Sequence, residues 1–461
     1  MRLRPLVLAC ALAATLPAGV RAQDLLTVWR AAAGHDRQLA VARAEHGATQ
    51  TLREQADALW RPGVSLALGA GLGAQDTSMR GARFSAPGMG QMDEARFATS
   101  VDAGLATRVA IIAQQPLVNA GRDAQRAQLR LGADMGDTAW RSAQADLMLR
   151  TTERYLALAL AEERVRVLGQ QVRALEHARD EAHDRYKIGS SPVTDTHEAD
   201  AALAGARDQQ SAAALEAGTR RQALADSTGL AGPTAQLPVL PLAPVADGPG
   251  WEQAAQADNP RLRLSMQAVA VAEQKLRQQG AAGRATVDLV AQASHDRIAG
   301  HGDFGSARNR NLNAMVGVQL NIPIYAGGMI RAQEREAAER LAKARAELEL
   351  AREEVGQQAR SAWQGLETGV VRIAALQDAQ TASSARLDAT RLGREVGDRT
   401  LLDVLGAEND HAQTVLALAQ ARADQVLTRL RLAALADRLD EDLLAQVSAT
   451  LNTEVAQEPK P

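Results

Sequence analysis

Residues 394–413 read REVGDRTLLDVLGAENDHAQ, and residues 186–203 read YKIGSSPVTDTHEADAAL. Sliding one onto the other by 208 places aligns Gly189 with Gly397, Asp195 with Asp403 and Asp200 with Glu408. A second pair of segments, QPLVNAG at 115–121 and IPIYAGG at 322–328, obeys an offset of 207. The chain is therefore an internal duplication. Its period lies far beyond the roughly 20–50 residues of a solenoid repeat, so each half is a domain-sized unit.

A long proline-free stretch precedes each motif. From Ala124 to Lys187, Leu158, Ala161, Val165, Leu168, Val172 and Leu175 recur in alternating steps of three and four. From Gly328 to Val396, Ala337, Leu341, Ala344, Leu348, Ala351 and Val355 do the same. A period of 3.5 predicts a coiled-coil seam, and alanine along it lets helices approach closely. Return helices are predicted over Pro192–Thr228 and Thr400–Leu444. Gly189 and Gly397 suit the left-handed conformation that ends a helix before a reversal. The two motifs are thus the tips of two helical hairpins.

Upstream of each hairpin the period changes to two. Residues 24–60 read as helix, stopped at Trp60-Arg61-Pro62-Gly63. Val64, Leu66, Leu68, Ala70, Leu72 and Ala74 then alternate with small or polar residues, and after a turn-rich stretch to about Arg96 so do Val101, Ala103, Leu105, Val109 and Ile111. In the second half Val287, Leu289, Ala291 and Ala293 alternate, then Leu312 through Ile322, with Arg297–Arg310 reading as a loop. Four strands of roughly 10–13 residues suit tilted membrane strands. A soluble sandwich would also alternate. Aliphatic faces set against Asp, Asn, Gln and Arg fit a lipid-facing exterior around a wet lumen. Gly69, Gly71 and Gly73 lack phosphate-loop spacing and read as small residues of the lumen side.

Residues 1–22 read as a secretory signal, with Arg2 and Arg4 before an apolar run and Val20-Arg21-Ala22 at the cleavage point. Cys10, the only cysteine, lies inside that run, so the mature chain has neither disulfide nor thiolate chemistry. Removing three arginines leaves 49 basic against 55 acidic residues, a net charge of −6, which argues against nucleic acid. No later stretch approaches the ~20 apolar residues of a membrane helix. Aromatics make up only 2%, few for a typical outer-membrane barrel. The eight histidines are scattered, with no metal-spaced cluster and no nucleophile motif, so neither catalysis, metal nor cofactor is expected. The expected organisation is a signal at 1–22, a first repeat at 23–228, a connector at 229–250, a second repeat at 251–445 and a disordered tail at 446–461.

The segments VGDRTLLDVLGAEN, IPIYAGGMI and YLALALAEERV, with the duplicated strand–helix plan, resemble the TolC family of outer-membrane channels over essentially the whole mature chain. The resemblance implies a mixed α and β membrane protein. Its homotrimer gives four strands per chain to one twelve-stranded β-barrel, continuous with an α-helical coiled-coil tunnel across the periplasm. It implies an export duct for proteins by type I secretion, for small toxic compounds, or for both. The implied partners are outer-membrane lipid, an inner-membrane transporter of ABC or RND type and a periplasmic adaptor. In such channels the hairpin tips close the tunnel and aspartate rings line the narrowest point. Asp403 falls on one ring position, whereas the next family aspartate is Gly406 here. Arg399 matches the arginine tying one hairpin to its neighbour, Thr194 and Asp195 match its partners, and Arg394 replaces the family tyrosine that supports the latch. Carboxylates crowded in a narrow pore repel one another and attract cations. The alternative role for Asp403 and Asp195 is helix capping. The alternative for the whole chain is a soluble periplasmic coiled-coil adaptor or tether.

Overall fold

The computed structural model describes residues 24–238, 248–303 and 305–451. The signal (1–22), part of the connector (239–247) and the last ten residues lie outside the described residues. The chain divides into two compact units that cut across the repeats. A helical unit takes Met1–His46, Asp137–Leu264 and Leu348–Pro461; a sheet unit takes Gly47–Gly136 and Ser265–Glu347.

The duplication is explicit in the elements. In the first repeat α1 (Leu25–His35), α2 (Arg37–Ala58), β1 (Gly63–Ala86) and β2 (Gly90–Val118) lead to α3 (Ala120–Lys187) and α4 (Val193–Thr228). In the second, α5 (Gly248–Asp258), α6 (Pro260–Gly280), β3 (Thr286–Gly302) and β4 (Gly305–Asn321) lead to α7 (Met329–Glu395) and α8 (Leu401–Leu435). The long helices have 68 and 67 residues and their return helices 36 and 35, which fixes the two hairpins as equivalents. A short α9 (Glu441–Leu451) follows.

The helical unit is held by the predicted seams. Leu158, Ala161, Leu168, Val172 and Leu175 are buried, as are Leu348, Ala351 and Val355. The main cluster joins Leu25 and Val28 of α1, Tyr155 and Leu158 of α3, Leu224 of α4, Leu430 of α8 and Leu444 of α9. Tyr155 is fully buried, and its hydroxyl accepts the Gln236 N–H at 3.1 Å, pinning the connector. Burial pushes the phenol up to about 12.

Two predicted helices are broken. The segment 24–60 splits at Asp36, whose extended backbone ends α1 and whose carboxylate accepts the Leu39 N–H at 2.8 Å. Buried Asp36 also pairs with Arg150 at 3.2 Å. An aspartate offering its own cap competes with helix continuation. Likewise Thr400–Leu444 stops at Leu435, where Asp437 adopts φ +53° and Arg438 N–H reaches Ala433 O at 2.8 Å. Asp440 then caps α9 through Leu443 N–H at 2.8 Å. Helix therefore runs through 446–451, the start of the expected tail, and Gly248–Gly250 of the expected connector already belong to α5.

The sheet unit carries one antiparallel sheet in the order β1-β2-β3-β4. Its strands of 24, 29, 17 and 17 residues exceed the expected length. Residues read as turns pair in register instead, Thr77 with Thr99 and Ser85 with Gln91, and Arg297 with Arg310. Gly, Ser and Asp mark a turn only where the backbone lacks a partner, and here pairing supplies one. One face behaves as the alternation requires: Leu72 is 90% exposed, Leu312 79% and Val316 75%, with Val64, Leu66, Leu68, Leu105, Ile111, Val318 and Leu320 also exposed. Val101 departs from it. The register shifts between Gly73 and Gln75, an extra residue on β2 reverses the side-chain parity, and Val101 is buried at 3% exposure. A methyl added at Gly104 would lie 2.7 Å from Val101 Cγ1 and 2.6 Å from Ala299 O, so only glycine fits beneath it. On the face opposite the apolar one, Asp296 sits by Arg108 (3.4 Å), Ser294 (3.2 Å) and Asn313 (3.4 Å).

Candidate functional site

Both hairpin tips close with the same turn. Ser190 N–H reaches Arg185 O and Asp398 N–H reaches Gly393 O, each at 2.8 Å, while Gly189 and Gly397 take φ +77° and +85°. This double closure satisfies the last helical carbonyls and needs a residue without Cβ at the left-handed position. Beneath the tips, Leu401 and Leu405 of α8 pack with Ala199 and Leu203 of α4 and Val172 and Leu175 of α3, so the two hairpins of one chain are packed together.

The duplicated aspartates do different work. Both stand third in their helices. Thr400 precedes α8, and its hydroxyl accepts the Asp403 N–H at 3.2 Å while the Asp403 carboxylate accepts the Thr400 N–H at 2.9 Å and hydroxyl at 2.8 Å. This capping box is a local, sequence-encoded cap. Those hydrogen bonds, with lesser help from the Arg399 and Arg386 charges, hold the exposed Asp403 carboxyl below the usual range. At the equivalent place before α4 stands Pro192, which has neither hydroxyl nor N–H to offer and makes no side-chain cap. Asp195 is thereby released, and it faces Arg394 of the other hairpin, Nη2 to Oδ2 3.5 Å, with the side chains only 11% and 20% exposed. The structure thus brings Arg394, rather than Arg399, to Asp195 within one chain.

Arg399 is exposed, its stem lying against Gly393; its backbone N–H reaches Gly393 O at 3.2 Å, but its guanidinium makes no hydrogen bond or ion pair with a described residue of its own chain. Thr194 is exposed at the first turn of α4. Gly406, where a second ring aspartate would stand, is exposed with open space around its Cα. Among the described residues no group of His, Cys, Asp and Glu is arranged to hold a metal.

A further set of ties escaped the sequence reading although the duplication contains it. His183 meets Asp200 across the first hairpin at 3.3 Å, and Arg391 meets Glu408 across the second. Both partners are related by the same offset of 208. Applying the offset to the cations as well as the acids would have found them.

The chain belongs to the outer membrane efflux protein family, whose profile matches residues 28–230 and 251–437, both repeats of the strand-and-hairpin duplication. Its place is therefore the outer membrane, and the soluble adaptor alternative falls. Among relatives, the outer membrane efflux protein BepC of Brucella suis is 33% identical over 288 residues, 62% of this chain and 60% of that protein. The alkaline protease secretion protein AprF of Pseudomonas aeruginosa is 29% identical over 324 residues, 68% of this chain and 66% of that protein. The matched part thus spans just under two thirds of either relative. The solved outer-membrane channel OprN superposes with a TM-score of 0.72 at 18% identity, covering 90% of both chains.

Proposed function

We propose that the chain is one third of a passive export duct: a homotrimer whose twelve strands close a barrel in the outer membrane and whose hairpins form a gated periplasmic tunnel. The observation that carries this reading is the shape of the exposed apolar band. In register, Leu72 of β1 stands level with Leu105, Ala299 and Arg308, and Val64 level with Ala113, Ala291 and Val316. At the border remote from the helices the large apolar residues end at Leu72 on β1 but at Leu312 on β4, while at the other end the β4 face continues past Leu320 into exposed Ile322 and Ile324. The remote border is thus displaced by four residues over three strand spacings. At ~3.3 Å per residue and ~4.8 Å per strand, that slope corresponds to strands tilted by roughly 40°. This is the tilt of membrane barrel strands, and eight tilted residues rise about 20 Å, near the ~25 Å apolar belt of such barrels. A soluble sandwich has no reason to shear its apolar face by the barrel angle. Four strands leave the outer edges of β1 and β4 unpaired, and pairing them between chains removes the edges.

At the tips, Arg394–Asp195 ties the two hairpins within a chain, while Arg399 stays available to Thr194 or Asp195 of a neighbouring copy. Three Asp403 carboxylates at the constriction would repel one another and attract cations. An inner-membrane transporter of ABC or RND type, with its periplasmic adaptor, would open the tips. Both cargo classes find support, since one relative is named for efflux and another for protease secretion. The test is an arginine placed at mid-band. Val316→Arg should cost roughly 2–4 kcal/mol per chain and abolish trimer assembly in the outer membrane, whereas Gln319→Arg on the other face should assemble normally. Equal assembly of both variants would overturn the barrel reading.

A further inference from the structure

On β3 and β4 the apolar band ends abruptly in positive charge. Two residues beyond Leu312, on the same face, stands Arg310, directly opposite Arg297. Two residues further stands Arg308, opposite the small and exposed Ala299. All three arginines are exposed, and none has an ion-pair partner among the described residues. Arg297 donates only to His295 Nε2, at 3.3 Å. The carboxylate next in sequence, Asp296, points to the opposite face, where Arg108 occupies it. Like charges directly across a strand pair disfavour folding, so a sheet that places Arg297 against Arg310 and leaves both unpaired has room for an anion from outside.

We infer that Arg297, Arg308 and Arg310 form a binding site for the phosphates of a phosphorylated glycolipid in the outer leaflet. The inference rests on the reading of the apolar band as lipid-facing. If that band lies in hydrocarbon, its border is the level of the headgroup phosphates. The cluster lies at the strand ends remote from α6 and α7, so a periplasmic helical end puts it on the external side. The geometry suits the ligand: neighbours on one face of a sheet stand about 5–8 Å apart, and planar guanidinium forks bind phosphate oxygens in pairs. Ala299 leaves space between the three groups. The opposite end of the band on β4, Leu320 to Ile324, carries no cation, so the feature is one-sided, as the leaflets are.

The test uses the full-length protein in detergent and three probes: diphosphorylated lipid A, fully dephosphorylated lipid A and inorganic phosphate. Binding is read by native mass spectrometry. Wild type should bind diphosphorylated lipid A, and the triple variant Arg297→Gln/Arg308→Gln/Arg310→Gln should bind it at least tenfold more weakly. Dephosphorylated lipid should not distinguish the two proteins, and millimolar inorganic phosphate should fail to displace the bound lipid. Arg310→Gln alone, which removes one member of the opposed pair, should weaken binding severalfold and raise the melting temperature; it serves where the triple variant fails to assemble. Unchanged lipid A binding by these variants, or equally strong binding of free phosphate, would overturn the inference. Val316→Trp separates this failure from that of the underlying reading. Quenching by brominated lipid with unaltered lipid A binding removes only the phosphate site, whereas absence of quenching removes the lipid-facing band itself.

Discussion

Substituting Arg394 by alanine addresses the hairpin tie that Pro192 makes possible. Arg394 and Asp195 are separated by 3.5 Å, and both side chains are four-fifths or more buried. At an effective dielectric near 20, the attraction at that distance is about 5 kcal/mol gross. Most of it is offset by the desolvation of both ions, and the buried Arg394 Nε with no partner adds to that cost. A net contribution of about 1–2 kcal/mol per chain remains, in the range of charge-assisted bonds. Three chains sharing one gate would then bias its closed state by about 3–6 kcal/mol, a factor of roughly 10² to 10⁴ in the closed-to-open ratio. Arg394→Ala and Asp195→Ala should each raise single-channel conductance in planar bilayers by a comparable amount, and the double variant should open little further than either. Unchanged conductance in both variants would refute the reasoning. So would full additivity, which would mean that the two residues act independently.

Arg399→Ser should also raise conductance, additively with Arg394→Ala where it reaches Thr194 of the neighbouring copy and less than additively where it shares Asp195; unchanged conductance in the same recordings would contradict its role in the latch. Asp403→Ala should weaken block by divalent cations and lower thermal stability together, because the same carboxylate closes the capping box with Thr400. Its lowered pKa means that this stability is present at neutral pH and lost as pH falls below about 4, which thermal melts from pH 7 to 3 would follow. Gly397→Val, forced into φ +85°, should cost about 1–2 kcal/mol in denaturant melts.

The sequence disclosed what is periodic and withheld what depends on distant pairing. Seams at Leu158–Leu175 and the turns at Gly189 and Gly397 were readable because 3.5-residue spacing and left-handed glycine are local signals. Long strands were not, since Thr77, Ser85 and Arg297 look like turn residues until Thr99, Gln91 and Arg310 are seen beside them. Alternation alone puts Val101 on the outer face, because a bulge leaves no mark in it. The breaks at Asp36 and Asp437 came from side-chain and backbone caps that compete with good helix formers. At the tips, the aspartate pair was visible from the offset of 208, but its divergence was not. The divergence depends on Pro192 standing where Thr400 does, and no local pattern places Asp195 against Arg394.

In the proposed assembly three copies close one barrel, with β1 of each chain paired to β4 of the next. Light scattering of the purified protein in mild detergent, corrected for bound detergent, measures this directly. A closed trimer gives a protein mass three times that of one chain, stable on dilution. A stable single-chain particle that keeps its strands, with the edges of β1 and β4 unpaired, would contradict it.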